Sequence, residues 1–129
     1  MRIVIVGGVA GGMSCAARAR RLDESAEIVV LERGPDVSSA TCALPYYVGG
    51  EITEQSALRV QTPASLRAAL ALDVRTGHEV TAVDAAAKTV TVVSADGVGT
   101  LSYDALGLAP GAVPSTPAAT GLGPPRVPS

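Results

Sequence analysis

Cys42 is the side chain of this sequence best suited to covalent chemistry. It lies in the run Ser38–Gly50, and Pro45 predicts a short helix over Leu44–Val48, because proline suits a first helical turn. A thiol at a helix start or beside a cation has a lowered pKa and attacks as the thiolate. Many cysteines in apolar surroundings are inert packing residues, so Cys42 alone leaves both interpretations open.

The second chemical feature is a glycine-rich run between a predicted strand and a predicted helix: Gly7, Gly8, Val9, Ala10, Gly11 and Gly12. Backbone N–H groups at a helix start attract a pyrophosphate. Glu32 lies 20 residues after Gly12, where a carboxylate can accept hydrogen bonds from ribose hydroxyls. Val9 stands where the dinucleotide-binding pattern usually has its second glycine. A glycine-rich turn in an ordinary βαβ unit is therefore the alternative.

The remaining polar candidates carry weaker signals. Ser14, Arg18 and Arg21 follow the helix start and could line an anion site, although a solvated helix face explains their spacing equally well. Cys15 lies in an alanine-rich helix and is interpreted as a packing residue. His78 is interpreted as structural, and with the two cysteines it does not form a zinc pattern, so no metal is expected.

A βαβ unit is predicted to hold the glycine run and Glu32. It comprises a strand over Arg2–Val6, a helix over Met13–Leu22 and a second buried strand over Glu27–Leu31. Within the helix, Arg20 is expected to face water or a ligand.

The second half of the chain predicts a helix and further strands. Thr62 resembles the N-cap of a helix over Ala64–Leu72, and a short strand follows at residues 73–75. The hydrophobic period then changes to two, which indicates an antiparallel meander with strands over Glu79–Asp84, Thr89–Ser94 and Thr100–Tyr103. A further buried strand is predicted over Ala105–Ala109.

Length and composition exclude several classes of protein. The chain has 129 residues, a net charge of −2 and no basic cluster, so nucleic acid is not an expected partner. No apolar run reaches the roughly 18 residues that a membrane helix needs, and the first residues do not form a signal peptide. A cytoplasmic location is therefore expected.

Taken together, these residues resemble the N-terminal part of the coenzyme A-disulfide reductases and the related NADH oxidases. Those enzymes are FAD-dependent pyridine nucleotide-disulfide oxidoreductases with one active cysteine. The similar segments are residues 2–33, 38–50, 78–80 and 102–111. Residues 38–50 are similar to the family motif Ser-Phe-Ala-Asn-Cys-x-Leu-Pro-Tyr. The family's glycine loop also carries valine at the position of Val9.

The resemblance implies an α/β fold with parallel strands, the βαβ unit and the three-stranded meander. Residues 1–113 would form part of a Rossmann-like FAD-binding domain, and residues 114–129 a tail rich in proline and glycine. The family continues with an NAD(P)H domain and a dimerisation domain, and it forms homodimers. Their absence from this sequence leads us to expect FAD binding that is weak or absent, and no turnover by the chain alone.

The resemblance also implies roles for individual residues. Cys42 would be the nucleophile, cycling between the thiolate and a mixed disulfide with coenzyme A, with electrons arriving from NAD(P)H through FAD. The residues that would hold FAD are Gly7, Gly8, Val9, Ala10, Gly11, Gly12, Glu32, Arg33, Val80, Ala109 and Gly111. The residues that would approach coenzyme A are Ser14, Arg18, Arg21, Ser38 and Thr41.

Three departures from the family pattern leave alternatives for the substrate. Ser39 replaces the phenylalanine of the motif, Thr41 replaces its asparagine, and Leu70 stands where some relatives have a lysine that binds coenzyme A. An NADH oxidase, a peroxidase or a persulfide reductase of the same fold is the enzymatic alternative. The other alternative is a truncated nucleotide-binding fragment without catalytic activity.

Overall fold

The computed structural model describes residues 1–113 and residue 115 as an α/β protein. Its strands are β1 (Arg2–Val6), β2 (Glu27–Glu32), β3 (Asp73–Thr76), β4 (Glu79–Asp84), β5 (Thr89–Ser94), β6 (Gly97–Ser102) and β7 (Ala105–Leu108). Its helices are α1 (Ala10–Leu22), α2 (Leu44–Val48) and α3 (Pro63–Leu70). Short 3-10 turns cover Thr41–Ala43 and Gln55–Leu58. Except for residue 115, the predicted tail lies outside the described residues.

In the described part of the chain, four parallel strands form a sheet in the order β3-β2-β1-β7. An antiparallel sheet in the order β4-β5-β6 forms the predicted meander. Because β1, β2 and β7 run in parallel, their carboxyl ends share one edge, which is where open α/β sheets bind ligands.

Buried residues cover both faces of the parallel sheet. On one face, Ile5 and Ile28 pack with Ala16 of α1. On the other face, Val4 and Val29 pack in a cluster with residues of the meander. Burial of a valine or isoleucine side chain contributes about 1.5–3 kcal/mol relative to exposure. This two-sided burial explains why every residue of β1 and β2 except Arg2, Glu27 and Glu32 is β-branched or leucine.

Helix α1 differs from the sequence prediction at its start and at Arg20. The helix begins at Ala10 rather than Met13, so two of the glycines form its first turn. Arg20 does not point freely to solvent. It is half-buried and donates to the carbonyl oxygens of Leu70 and Ala71 at 2.9 and 3.1 Å. A further 2.7 Å bond reaches the carbonyl of Glu24. Arg20 thereby joins the end of α1 to the end of α3.

Other boundaries shift for local reasons. Helix α3 ends at Leu70 because Ala71 adopts the left-handed conformation, with φ of 49°. The predicted N-cap is confirmed, since Thr62 and Ser65 form a capping box. Strand β6 begins at Gly97, whose φ of 118° allows a tight hairpin and pairing with Ser94. Within the described residues, none of the helices has the length and apolar character needed to span a membrane.

Candidate functional site

The glycine loop is packed too tightly for side chains at Gly7, Gly8 and Gly12. Gly7 has a φ of 98°, and a Cβ there would overlap the carbonyl oxygen of Ala109. A Cβ at Gly12 would overlap the carbonyl oxygen of Gly7, and a Cβ at Gly8 would lie 2.7 Å from Val37. Gly11 is different, because a Cβ there would meet nothing closer than Ala109 at 3.4 Å. The loop therefore follows the ends of β1 and β7 closely.

The start of α1 presents backbone donors next to this loop. Its N-cap, Val9, provides no side-chain hydrogen bond, and no acidic residue lies in the first turn. The first N–H groups of a helix have no partner within the helix and carry a partial positive charge. The structure therefore leaves these groups available for an anion such as a pyrophosphate.

The Glu32 carboxylate is fixed by two backbone groups. Oε2 accepts a 2.7 Å hydrogen bond from the N–H of Gly8, and Oε1 accepts a 2.8 Å bond from the N–H of Gly34. Each carboxylate oxygen can accept a further bond. Glu32 is half-buried, so its charge is held at the edge of the sheet beside the glycine loop.

Two cavities adjoin the loop. The larger, of about 390 Å³, is lined by Gly7, Val9, Glu32, Arg33, Thr41, Ala109, Pro110, Gly111 and Ala112. The smaller, of about 100 Å³, is lined by Val6, Gly7, Leu31, Glu32, Arg33, His78, Glu79, Val80 and Pro110. They share Gly7, Glu32, Arg33 and Pro110, so they are neighbouring parts of one groove, which we call the nucleotide groove.

Cys42 lies in an exposed turn beside the nucleotide groove. It is the middle residue of the 3-10 turn that precedes α2, and its neighbour Thr41 lines the larger cavity. The segment before it is anchored at two points. The N–H of Ser38 donates to the carbonyl of Gly8 at 2.7 Å, and that of Ala40 donates to Leu58 at 2.8 Å. The segment that leads into the cysteine turn is thus hydrogen-bonded to the glycine loop.

The remaining predicted residues are distributed unevenly. Ser14, Arg18 and Arg21 are exposed on α1 and do not line the nucleotide groove. Ser38 forms a hydrogen bond to the loop through its backbone N–H. Cys15 is exposed, so the interpretation of this residue as packed is wrong. It lies on the side of α1 toward Gly107 of the edge strand β7, where little covers it.

Sequence reasoning missed Gly34 and the position of His78. Gly34 supplies the second backbone donor to Glu32, and its place two residues after Glu32 was the available signal. His78 was interpreted as structural, but it lines the smaller cavity. Among the described residues, no group of three or more His, Cys, Asp or Glu side chains is arranged to hold a metal ion.

Comparison with known proteins places this geometry in a family. The family model for pyridine nucleotide-disulphide oxidoreductases matches residues 1–127. The chain belongs to this family. Its members depend on FAD and NAD(P)H. The family resemblance and the α/β fold predicted from the sequence are thereby confirmed.

Individual relatives are similar to the chain in sequence and in structure. A coenzyme A disulfide reductase of Staphylococcus epidermidis is 43% identical over 113 residues, which are 86% of this chain and 26% of the relative. The structure of reduced CoADR-RHD from Bacillus anthracis has a TM-score of 0.87 and 46% identity, covering 91% of this chain and 21% of that one. An NAD-dependent persulfide reductase from A. fulgidus has a TM-score of 0.88 and 40% identity, with coverages of 92% and 22%. The chain thus spans about a quarter of the length of the curated relatives it matches.

Proposed function

We propose that this chain is the FAD-binding and cysteine-bearing part of a flavoprotein that reduces coenzyme A disulfide with NAD(P)H. The observation that carries the proposal is the nucleotide groove, in which Glu32 and the glycine loop face Thr41, the neighbour of Cys42. The identity of 43% to a coenzyme A disulfide reductase supports the choice of substrate.

The residues present fit FAD. The glycine loop has no room for side chains at three positions, and the first turn of α1 offers backbone donors to a pyrophosphate. Glu32 would accept from the ribose hydroxyls, and Arg33 and Val80 would flank the adenosine. The other loop residues, with Ala109 and Gly111, would pass along the rest of the nucleotide. When bound, FAD supplies the path by which two electrons from NAD(P)H reduce a disulfide.

Cys42 would carry the exchange chemistry. Its thiolate would attack one sulfur of coenzyme A disulfide, forming a Cys42–S–S–CoA bond and releasing one coenzyme A as the thiol after proton uptake. Arg18 and Arg21 would attract the phosphates of the substrate, because both are exposed cations on one helix. Ser14, Ser38 and Thr41 would supply polar contacts closer to the sulfur.

A persulfide is the second candidate substrate. The A. fulgidus persulfide reductase has a TM-score of 0.88, against 0.87 for the B. anthracis structure. Because the two TM-scores are nearly equal, they do not favour coenzyme A disulfide over a persulfide as the substrate. The replacement of the motif asparagine by Thr41 also changes the polar group next to the cysteine.

For the whole protein we propose a homodimer in the cytoplasm, because the family assembles in pairs. Residues 1–113 would then form the first part of its FAD domain. Neither nucleic acid nor a membrane is proposed as a partner.

The substrate proposal is tested by the rate of adduct formation at each cysteine. The chain is mixed with coenzyme A disulfide or with cystine, and the adducts are located by intact mass and peptide mapping. We expect coenzyme A to add to Cys42 several-fold faster than to Cys15, although both are exposed. Cystine should show a smaller difference.

Two arginine variants separate substrate recognition from simple thiol exchange. The double variant Arg18→Gln with Arg21→Gln should slow the reaction with coenzyme A disulfide and leave the reaction with cystine unchanged. Arg67→Gln, an exposed arginine on α3, is the matched control. Equal rates at Cys42 and Cys15 with both reagents would contradict the proposal.

A further inference from the structure

His78 forms the wall between two cavities. It lines the smaller cavity of the nucleotide groove together with Glu32, Arg33 and Val80. It also lines a separate cavity of about 300 Å³ between the two sheets. Among the residues that the structure describes, only Leu31 also lines both cavities, and Leu31 has no polar side-chain atom. His78 is therefore the polar side chain at this junction.

The tautomer of His78 follows from its neighbour. Nδ1 lies 2.7 Å from the carbonyl oxygen of Thr76. A carbonyl can only accept, so Nδ1 carries the hydrogen. In the neutral ring Nε2 is then an acceptor with a free lone pair. Among the described residues Nε2 has no hydrogen-bond partner, and no fully buried side-chain nitrogen or oxygen there lacks one. Nε2 is consequently not fully buried, and it is free to accept a hydrogen bond from a ligand.

The ring is also held at a fixed place relative to Glu32. The backbone N–H of His78 donates to the carbonyl of Glu32 at 3.0 Å, and the N–H of Gly77 donates to Gly34 at 3.1 Å. The same backbone segment therefore positions the imidazole and the carboxylate. An acceptor fixed in this way loses little conformational entropy when a ligand donor reaches it.

We propose that His78 is a specificity-determining residue for the nucleotide base, with Nε2 accepting a hydrogen bond from the exocyclic amino group of adenine. This inference rests on the proposed FAD site. Adenine presents an N–H donor at this position, whereas hypoxanthine presents a carbonyl acceptor. Two facing acceptors cannot form a hydrogen bond, so His78 favours adenine over hypoxanthine.

The test compares ADP with IDP, which differ at that position of the base. Both are titrated into the chain, and binding is followed by the amide NMR signals of the loop glycines. We expect the wild type to prefer ADP, and His78→Phe to reduce that preference about five- to tenfold, the value of one net hydrogen bond. The amide of His78→Gln can accept from adenine or donate to hypoxanthine, so this variant should bind both nucleotides with little preference. The amide spectrum of each variant shows whether it is folded.

The outcomes separate this inference from the proposed function. An unchanged preference in folded His78→Phe, with both nucleotides still weakened by Glu32→Gln, would overturn the role of His78 and leave the nucleotide site standing. Retention of the full wild-type preference in folded His78→Gln would also overturn it, because an amide can pair with either base. If neither nucleotide shifts the glycine signals of the wild type, the nucleotide site itself is wrong, and the role of His78 with it.

Discussion

The backbone N–H of Gly8 donates a 2.7 Å hydrogen bond to Oε2 of Glu32. The residue that is proposed to hold the ribose thus also holds the glycine loop in place. Gly34 donates to the other carboxylate oxygen at 2.8 Å, so both oxygens face backbone donors. An acidic side chain at this position therefore has a structural role and a ligand-binding role at once.

Replacement of Glu32 by Gln should weaken both roles. The amide has one oxygen, so its NH2 group must face either the Gly8 or the Gly34 N–H. We expect a loss of about 1.5–3 kcal/mol in the free energy of unfolding, the usual value of hydrogen bonds to a charged group. ADP binding should weaken by at least tenfold. Urea unfolding and nucleotide titration measure the two effects. Glu51→Gln, at an exposed position, is the control and should change neither.

Substitution of two neighbouring glycines, Gly12 and Gly11, tests how tightly the loop is packed. Gly12→Ala should destabilise the fold by about 3 kcal/mol or more, because its Cβ would overlap the carbonyl oxygen of Gly7. Gly11→Ala should be nearly neutral, since its Cβ would lie 3.4 Å from Ala109. Thermal unfolding of both variants measures the difference. Equal destabilisation would mean that the close approach of α1 to the loop is wrong.

Arg20 should be more important for stability than the arginines beside it. Its guanidinium donates to carbonyls at the ends of α1 and α3. Arg20→Lys keeps the charge but loses the fork of donors, so we expect a loss of about 1–3 kcal/mol in urea unfolding. Arg21→Lys, on the exposed face of α1, should have no measurable effect. A similar loss in both variants would contradict the bridging role of Arg20.

Asp23 should contribute to stability in a pH-dependent way. The hydroxyl and the N–H of Ser25 both donate to its Oδ1, at 2.6 and 2.9 Å, and lower the pKa of Asp23 below its ordinary value of 3.8. Because the folded pKa is the lower one, the stabilisation is complete above the ordinary value and is lost as pH falls through the folded pKa. The difference in stability between wild type and Asp23→Asn should therefore be larger at pH 6 than at pH 2. If this difference in stability is as large at pH 2 as at pH 6, the stabilising role of the Asp23 carboxylate is contradicted.

The sequence was sufficient for the family and for most elements of the fold. The strands Arg2–Val6, Glu79–Asp84 and Thr89–Ser94 were predicted with their observed bounds, because β-branched runs of this length are separated by clear turn residues. The start of α1 was predicted too late, since glycine is a poor helix former and the first turn is set here by the tight approach to β1.

Sequence patterns could not predict contacts between segments that are far apart in the chain. The four carbonyls around Arg20 come from two helix ends about 50 residues apart, and no local period reveals them. The same holds for the bond from Ser38 to Gly8, which joins the segment before the cysteine turn to the glycine loop. The roles of Cys42 and of the nucleotide-binding residues remain predictions.

The most direct test of the central claim is the alkylation rate of Cys42 with and without saturating FAD. The claim is that a flavin bound in the nucleotide groove lies next to this thiol. FAD should slow alkylation of Cys42 several-fold, while ADP, which lacks the flavin, should leave the rate nearly unchanged. Cys15 is the internal control, because it is exposed but does not line the groove. If FAD does not slow the alkylation of Cys42, or slows Cys15 as much, the account is contradicted.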